Sequence, residues 1–302
     1  MKSRSLVKIG NSYYVSLPKK WVISQGLNEV KEVYVNPRSD GVIEILPSTS
    51  ETSKPSVRRI KLTKFIEREI FSAYLAGYDT IIVEINHNSE KTHTFSSVLE
   101  RVQHLLVGLE IVEESDREVI LQCFIREDYE ITQIIARMEA LARSMYVDAV
   151  KSSFMDNPEL ARSVIRRDDR LDRLYFLTVR LIRKLISKPI IDSLTRVKLL
   201  DYRLLVRELE EIGDIGEEIA LNREEFKVEE KTLRIVEKIA KVERKLVNAV
   251  LRGEGCGELD ISSLVKIKNI LEKELINKNM HSIYSYLLLI VKRLEDIADL
   301  VG

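Results

Sequence analysis

Apolar positions follow two different rhythms along the chain. Before residue 48 they come in short runs: Ser5–Ile9 and Tyr13–Leu17 flank Gly10-Asn11, and Glu32–Asn36 and Val42–Leu46 flank Arg38-Ser39-Asp40-Gly41. Short β-prone runs around such turn residues predict two hairpins. Between them, Pro18 opens a short helix and Gly26 closes it, because proline suits the first helical turn. A unit of this size cannot bury both faces of its sheet, so a second copy is expected to complete the core. The polar stretch STSETSKP (48–55) then reads as a linker.

From residue 57 to 127 the rhythms mix. Ile60–Leu75 has helical spacing and stops at Ala76-Gly77, and Thr80–Ile85 is a continuous β-branched run. Thr94–Leu106 is helical again and stops at Gly108. Leu109–Val112 and Glu118–Ile125 read as paired strands. The expectation is a small α/β unit whose role is a spacer, a dimer contact or a small-ligand sensor. Its acids outnumber its bases, so it extends no nucleic-acid patch.

Beyond residue 128 the helical period is unbroken. Tyr129–Phe154, Pro158–Ser187, Leu194–Leu221, Val228–Leu251, Ser262–Asn277 and Met280–Val301 are six predicted helices, separated at Asp156-Asn157-Pro158, Lys188-Pro189 and Gly253–Gly257. VRELEEIGDI (206–215) recurs as VKRLEDIADL (291–300), 85 residues later. Val206/Val291, Leu209/Leu294, Glu210/Glu295, Ile212/Ile297 and Asp214/Asp299 are identical, and Glu208/Arg293 is the one pair without chemical likeness. A repeat closing each group of three helices predicts tandem three-helix bundles.

Composition narrows the class. Lys+Arg and Asp+Glu both number 48, so the chain as a whole is no polycation. Cys123 and Cys256 fit no CxxC spacing, Met1 is followed by polar and basic residues, and no apolar stretch is long enough to span a bilayer. A reducing, cytoplasmic location without membrane insertion is expected. His87, His93 and His104 lack metal-motif spacing. There is no Walker loop, GxGxxG, HExxH or GxSxG, so no enzyme is expected.

Two sets of charges carry candidate chemistry. Residues 1–47 hold seven bases against four acids. Doubled in a dimer, that excess suits phosphate contacts on two half-sites. Tyr13, Tyr14 and Trp21 are expected as core or dimer-interface residues rather than base stackers. In the third predicted helix of the 128–302 region, Leu205, Leu209, Ile212, Gly216 and Ile219 form an apolar stripe, and at 100° per residue Glu210, Asp214 and Glu217 lie roughly opposite it. Asp168 and Asp172 form another i, i+4 pair in the preceding helix. Side by side these acids repel one another unless a cation or a base neutralises them. Spacing alone leaves both solutions open: a metal, or the interleaved Arg166, Arg167, Arg170, Arg173 and Arg203.

Two resemblances join these readings. LVKIGNSYYVSLPKKWVISQGL followed by VYVNPRSDGVIEILP resembles an AbrB/SpoVT-type swapped-hairpin domain, carried by Gly10-Asn11-Ser12, Leu17-Pro18-Lys19, Gly26-Leu27 and Asp40-Gly41. It implies a homodimer that binds duplex DNA, with Lys2, Arg4, Lys8, Lys19, Lys20 and Arg38 as contact residues. DNPELARSVIRRDDRLDRLYF followed by LVRELEEIGDIGEEIA resembles the PhoU phosphate-uptake regulator domain, a tandem pair of three-helix bundles. Its Glu/Asp-x-x-x-Asp signature falls on Asp168/Asp172, Glu210/Asp214 and Glu295/Asp299. The resemblance implies a divalent or iron-type ion (Fe, Zn, Mg or Mn) on Asp168, Asp172, Glu210 and Asp214, although nothing else in the sequence requires one. Glu295 and Asp299 make the weaker pair, because DISSLVKIKNILEKELI holds no Asp-x-x-x-Asp and Ala298 replaces Gly213.

The expected fold is therefore multidomain α+β and mainly α overall. It comprises a swapped-hairpin β domain (1–47), a linker (48–56), a small α/β domain (57–127) and tandem three-helix bundles (128–223 and 224–302). The combination resembles archaeal-type phosphate uptake regulators. It implies a cytoplasmic DNA-binding regulator in which a ligand or partner at the bundles reorients the hairpin dimer. The alternative is an adaptor of a phosphate transporter ATPase or sensor kinase that does not touch DNA.

Overall fold

The structure is a computed structural model describing residues 3–24, 26–27, 32–37, 41–47, 55–85, 93–126, 128–188, 191, 193–255, 262–277 and 282–301. It divides into two compact units, 1–55 and 56–302.

In the first unit, β1 (Leu6–Ile9) pairs antiparallel with β2 (Ser12–Val15), Leu6 opposite Val15. Gly10 makes the turn at φ +61°, a left-handed conformation that costs glycine little. Helix α1 (Lys19–Ser24) follows, then β3 (Val33–Pro37) paired with β4 (Ile43–Pro47), Val33 opposite Pro47. Each hairpin is a separate two-stranded sheet. Every residue of β1 and β2 is exposed, including Leu6 at 70% and Tyr13 at 67%. Tyr14 is also exposed and Trp21 is half-buried, so within a single chain the aromatics are not core.

The second unit opens with a four-stranded sheet of order β5-β6-β8-β7. It is built from β5 (Val57–Lys61), β6 (Thr80–Glu84), β7 (Leu109–Glu114) and β8 (Glu118–Cys123), together with helices α2 (Ile66–Leu75) and α3 (His93–Leu105). β5 runs parallel to β6, and the other pairs are antiparallel. This corrects the helix expected over Ile60–Leu75. Residues 57–61 instead pair along β6, where Ile60 fills a core site, and the helix begins only at Ile66. Ile60, Ile70, Tyr74, Ile81, Val83, Leu99, Val102 and Leu121 belong to the core of this layer.

Six helices follow: α4 (Ile131–Phe154), α5 (Pro158–Ile186), α6 (Ser193–Leu221), α7 (Glu230–Arg252), α8 (Ser262–Asn277) and α9 (Ile283–Ala298). α4, α5 and α6 pack as one three-helix bundle and α7, α8 and α9 as a second, joined through α4 to α7 and α6 to α9. A single apolar core runs through both. Asn157 caps α5 by accepting from the Leu160 N–H at 3.1 Å, with Pro158 at the first helical position. Gly216 lets α6 close on α4: a Cβ there would meet the Tyr146 backbone nitrogen at 2.8 Å.

Arg180 ties the α/β layer to the first bundle. Its guanidinium is fully buried, donates to the Tyr74 carbonyl oxygen at 2.6 Å and lies 4.8 Å from the Tyr74 ring centre. Beside it, Asp79 accepts from Lys184 at 2.7 Å and from the Ser56 N–H and hydroxyl at 3.0 Å. Burial raises the Asp79 pKa, but these hydrogen bonds outweigh it and hold the carboxyl below its usual range. No helix among the described residues is long and apolar enough to cross a membrane.

Candidate functional site

The acids of α5 and α6 meet where the two helices face each other in the first bundle. The helical wheel alone placed Glu210, Asp214 and Glu217 outside the core. α6 is instead packed by α4, α5 and α9, which leaves Glu210 buried and Asp214, Glu217, Asp168 and Asp172 partly so.

Their electrostatics follow from that position. Burial, then repulsion from Glu217, Asp172, Asp214 and Asp169, pushes the Asp168 carboxyl up to about 7. Asp172 rises to about 6 by burial and by Asp214, Asp169 and Glu217, with Arg101 opposing. Glu210 rises to about 8, by burial first and then Asp214 and Asp172, with Arg207 opposing. Asp214 and Glu217 are also raised, again chiefly by burial. Asp168 Oδ1 is buried and has no hydrogen-bond partner. The cluster therefore holds protons near neutral pH and changes its charge across that range.

The neutralising bases differ from those the sequence suggested. Arg207 serves the cluster, donating to Glu210 at 2.8 Å and to Glu211. Arg167 pairs instead with Asp148 at 2.7 Å, Arg203 donates to the Tyr175 hydroxyl, and Arg173 donates to the His104 carbonyl. Arg166 and Arg170 are exposed.

Hard carboxylate oxygens are the right donors for a divalent ion. Among the described residues, however, no three His, Cys, Asp or Glu side chains converge closely enough to hold one. The arrangement does not fit the metal site expected on Asp168, Asp172, Glu210 and Asp214. In the second bundle Glu295 is occupied by Lys268, whose ammonium lies 2.9 Å from both carboxylate oxygens, and Asp299 is exposed at the end of α9.

In the first unit Arg4, Lys8, Lys19 and Lys20 are all exposed, and the Lys8 ammonium lies 6.0 Å from the Tyr13 ring centre. Lys2, Arg38 and Asp40 fall outside the described residues, as do His87, Cys256 and most of the 48–56 linker. Cys123 is half-buried, and burial pushes its thiol up to about 11, which suits an inert side chain.

A buried polar group that sequence reasoning missed joins the two bundles. Tyr146 on α4 donates to Glu243 on α7 at 2.7 Å, and neighbouring Arg143 pairs with Glu139 at 2.7 Å. Burial pushes Glu243 up to about 8, against the Tyr146 hydrogen bond and Arg143.

Comparison with known proteins divides along the same lines. Residues 135–223 match the PhoU domain model, and residues 6–53 match that described as antidote-toxin recognition MazE, bacterial antitoxin. The crystal structure of PhoU from Pseudomonas aeruginosa aligns at 16% identity and TM-score 0.41, covering 57% of this chain and 90% of that one. No curated protein matches. The first bundle is thus similar to a PhoU domain and the hairpin unit to a MazE-type domain.

Proposed function

We propose that this protein is a DNA-binding regulator of phosphate uptake, in which a dimeric hairpin unit holds duplex DNA and the PhoU-type bundles sense or relay phosphate status. The observation that carries the reading is the naked hairpin unit. Leu6, Val7, Ile9, Tyr13, Tyr14, Val33, Tyr34, Val35 and Ile43 are all exposed on two small sheets. Apolar surface on that scale asks for a second copy. A dimer brings two sets of Arg4, Lys8, Lys19 and Lys20 onto one module, with Lys2 and Arg38 adding to them, and such paired bases can follow phosphates on two half-sites. The PhoU match supplies the link to phosphate.

At the bundles, the proton-loaded acids of α5 and α6 form a face whose charge responds to its surroundings. Occupation of the bundles changes the geometry of the hairpin dimer and with it the affinity for DNA. The proposed role requires no catalysis.

Duplex binding by the wild type and by Arg4→Ala/Lys8→Ala/Lys19→Ala/Lys20→Ala, followed by fluorescence anisotropy across a salt series, tests the DNA assignment. The variant is expected to bind at least about tenfold more weakly with a shallower salt slope, because each lost phosphate contact removes roughly 0.9 from the slope. Equal affinity and slope would overturn the assignment and leave the adaptor role.

A further inference from the structure

Each bundle carries a groove between its first two helices, lined at the same helical spacing. In the first, Arg137, Ala140, Leu141 and Ser144 of α4 face Arg170, Arg173 and Leu174 of α5. In the second, Lys238, Lys241, Val242 and Lys245 of α7 face Ser263, Lys266, Ile267 and Ile270 of α8. The i, i+3, i+4, i+7 spacing on α4 recurs on α7, and the i, i+3, i+4 spacing on α5 recurs on α8. Each groove has an apolar floor (Leu141 and Leu174; Val242 and Ile267) and a cationic rim.

Their surroundings differ. The first groove already has an internal neighbour. Val107 of the α/β layer forms part of its wall, and Arg173 donates to the carbonyl of His104, in the last turn of α3. A helix C-terminus is the negative end of the helix dipole, so a basic rim meets it favourably. Among the described residues the second groove has no such neighbour in its lining. It encloses about 350 Å³, and its four lysines are exposed, with no hydrogen-bond or ion-pair partner among the described residues. Exposed Val265 and Ile270 extend the apolar surface of α8.

We propose that the α7–α8 groove is a docking site for an acidic amphipathic helix of a partner protein. Lys238, Lys241 and Lys245 span about 10 Å along α7, given a rise of 1.5 Å per residue. A partner helix with carboxylates at i, i+3 and i+7 repeats that spacing, while its apolar stripe covers Val242, Ile267 and Ile270. The apolar floor disfavours a bare phosphate chain, which would leave it in water. The first groove, set against the end of α3, provides the internal precedent for a negative helical neighbour.

The probe is a fluorescein-labelled peptide of about 16 residues with leucine and glutamate at helical spacing, long enough to hold a helix. It is titrated against the full chain, so the readout is independent of DNA. Binding is expected to weaken with salt and to fall at least about tenfold in Lys238→Glu/Lys241→Glu/Lys245→Glu and in Ile270→Ser, while Arg137→Glu in the first groove leaves it unchanged. These are exposed positions, and an unaltered far-UV spectrum confirms that each variant is folded. The proposal fails if the triple variant binds as the wild type does, or if a peptide with the same residues scrambled off helical spacing binds equally. It fails also if sodium triphosphate or phosphatidylserine vesicles bind the groove and the peptide does not.

Discussion

Tyr146 spans the junction of the two bundles to reach Glu243, whose carboxyl is fully buried and whose Oε1 has no partner. Removing the hydroxyl leaves that carboxyl without its donor. Tyr146→Phe is therefore expected to cost about 1–3 kcal/mol in urea denaturation, the range for a buried polar group left unsatisfied. An unchanged midpoint would show that the carboxyl does not depend on this bond. Little in the sequence announced the pair. Glu243 stands in KVERKLV on a helix that reads as amphipathic, and only the approach of α4 makes its position interior. Arg180 was hidden in the same way, in a helix rich in solvated arginines. The signal in hindsight is its place in an apolar run, with Val179 and Leu181 on either side, both buried. By contrast, Glu210 and Asp214 stood out because their pair recurs as Glu295 and Asp299 and has no use in a core that accepts any apolar residue of similar size. Asp168 and Asp172 stood out by the same i, i+4 spacing.

Between elements, the repeat explains the contact of α6 with α9. Glu208 and Arg293 occupy equivalent positions in the two copies and lie 3.5 Å apart, so equivalent positions meet where the duplicated helices pack. Identical residues there would set like charges together, which accounts for the one dissimilar pair in the repeat. Arg293 also lies 3.6 Å from Glu211. Because Arg293 is partly exposed, Arg293→Glu is expected to cost only about 1 kcal/mol. Glu208→Arg/Arg293→Glu should recover part of the loss, and a double variant no better than the sum of the two singles would contradict the pairing.

The α5–α6 acids make a pH prediction. Asp168, Asp172 and Glu210 are raised in the folded state to about 7, 6 and 8. A raised carboxyl binds more protons folded than unfolded. Its stabilising contribution is thus complete below the unfolded carboxylate range near pH 4 and is lost as pH climbs through the folded values. The melting temperature should fall by several degrees between about pH 5 and 8, and Asp168→Asn/Glu210→Gln should flatten that slope. A melting temperature that rises over the window would refute the assignment. Element periods were legible nearly throughout, and the exception is instructive. IKLTKFIEREI carries helical spacing across a boundary, and the strand at Val57–Lys61 exists because β6 offers a parallel partner, a tertiary fact no local window contains.

At the scale of the whole molecule, the chain joins a hairpin unit with almost no core of its own to a large unit whose bundles share one core. Charge and period separate a basic, β-prone stretch before residue 48 from helices with paired acids after 128. The lysine groove was not readable, because Lys238, Lys241, Lys245 and Lys266 become one surface only when α7 and α8 are placed side by side. The same physical logic runs through all three features. Apolar strands without a core favour the proposed second copy, unpaired bases favour the proposed anionic partner, and crowded acids favour protonation. The central proposal, that a dimer of the hairpin unit holds this protein on DNA in step with phosphate supply, is tested most directly by mapping the DNA it occupies across the genome in phosphate-rich and phosphate-starved cells. Discrete sites whose occupancy changes between the two conditions are the predicted result, and no enriched site in either condition would contradict the account.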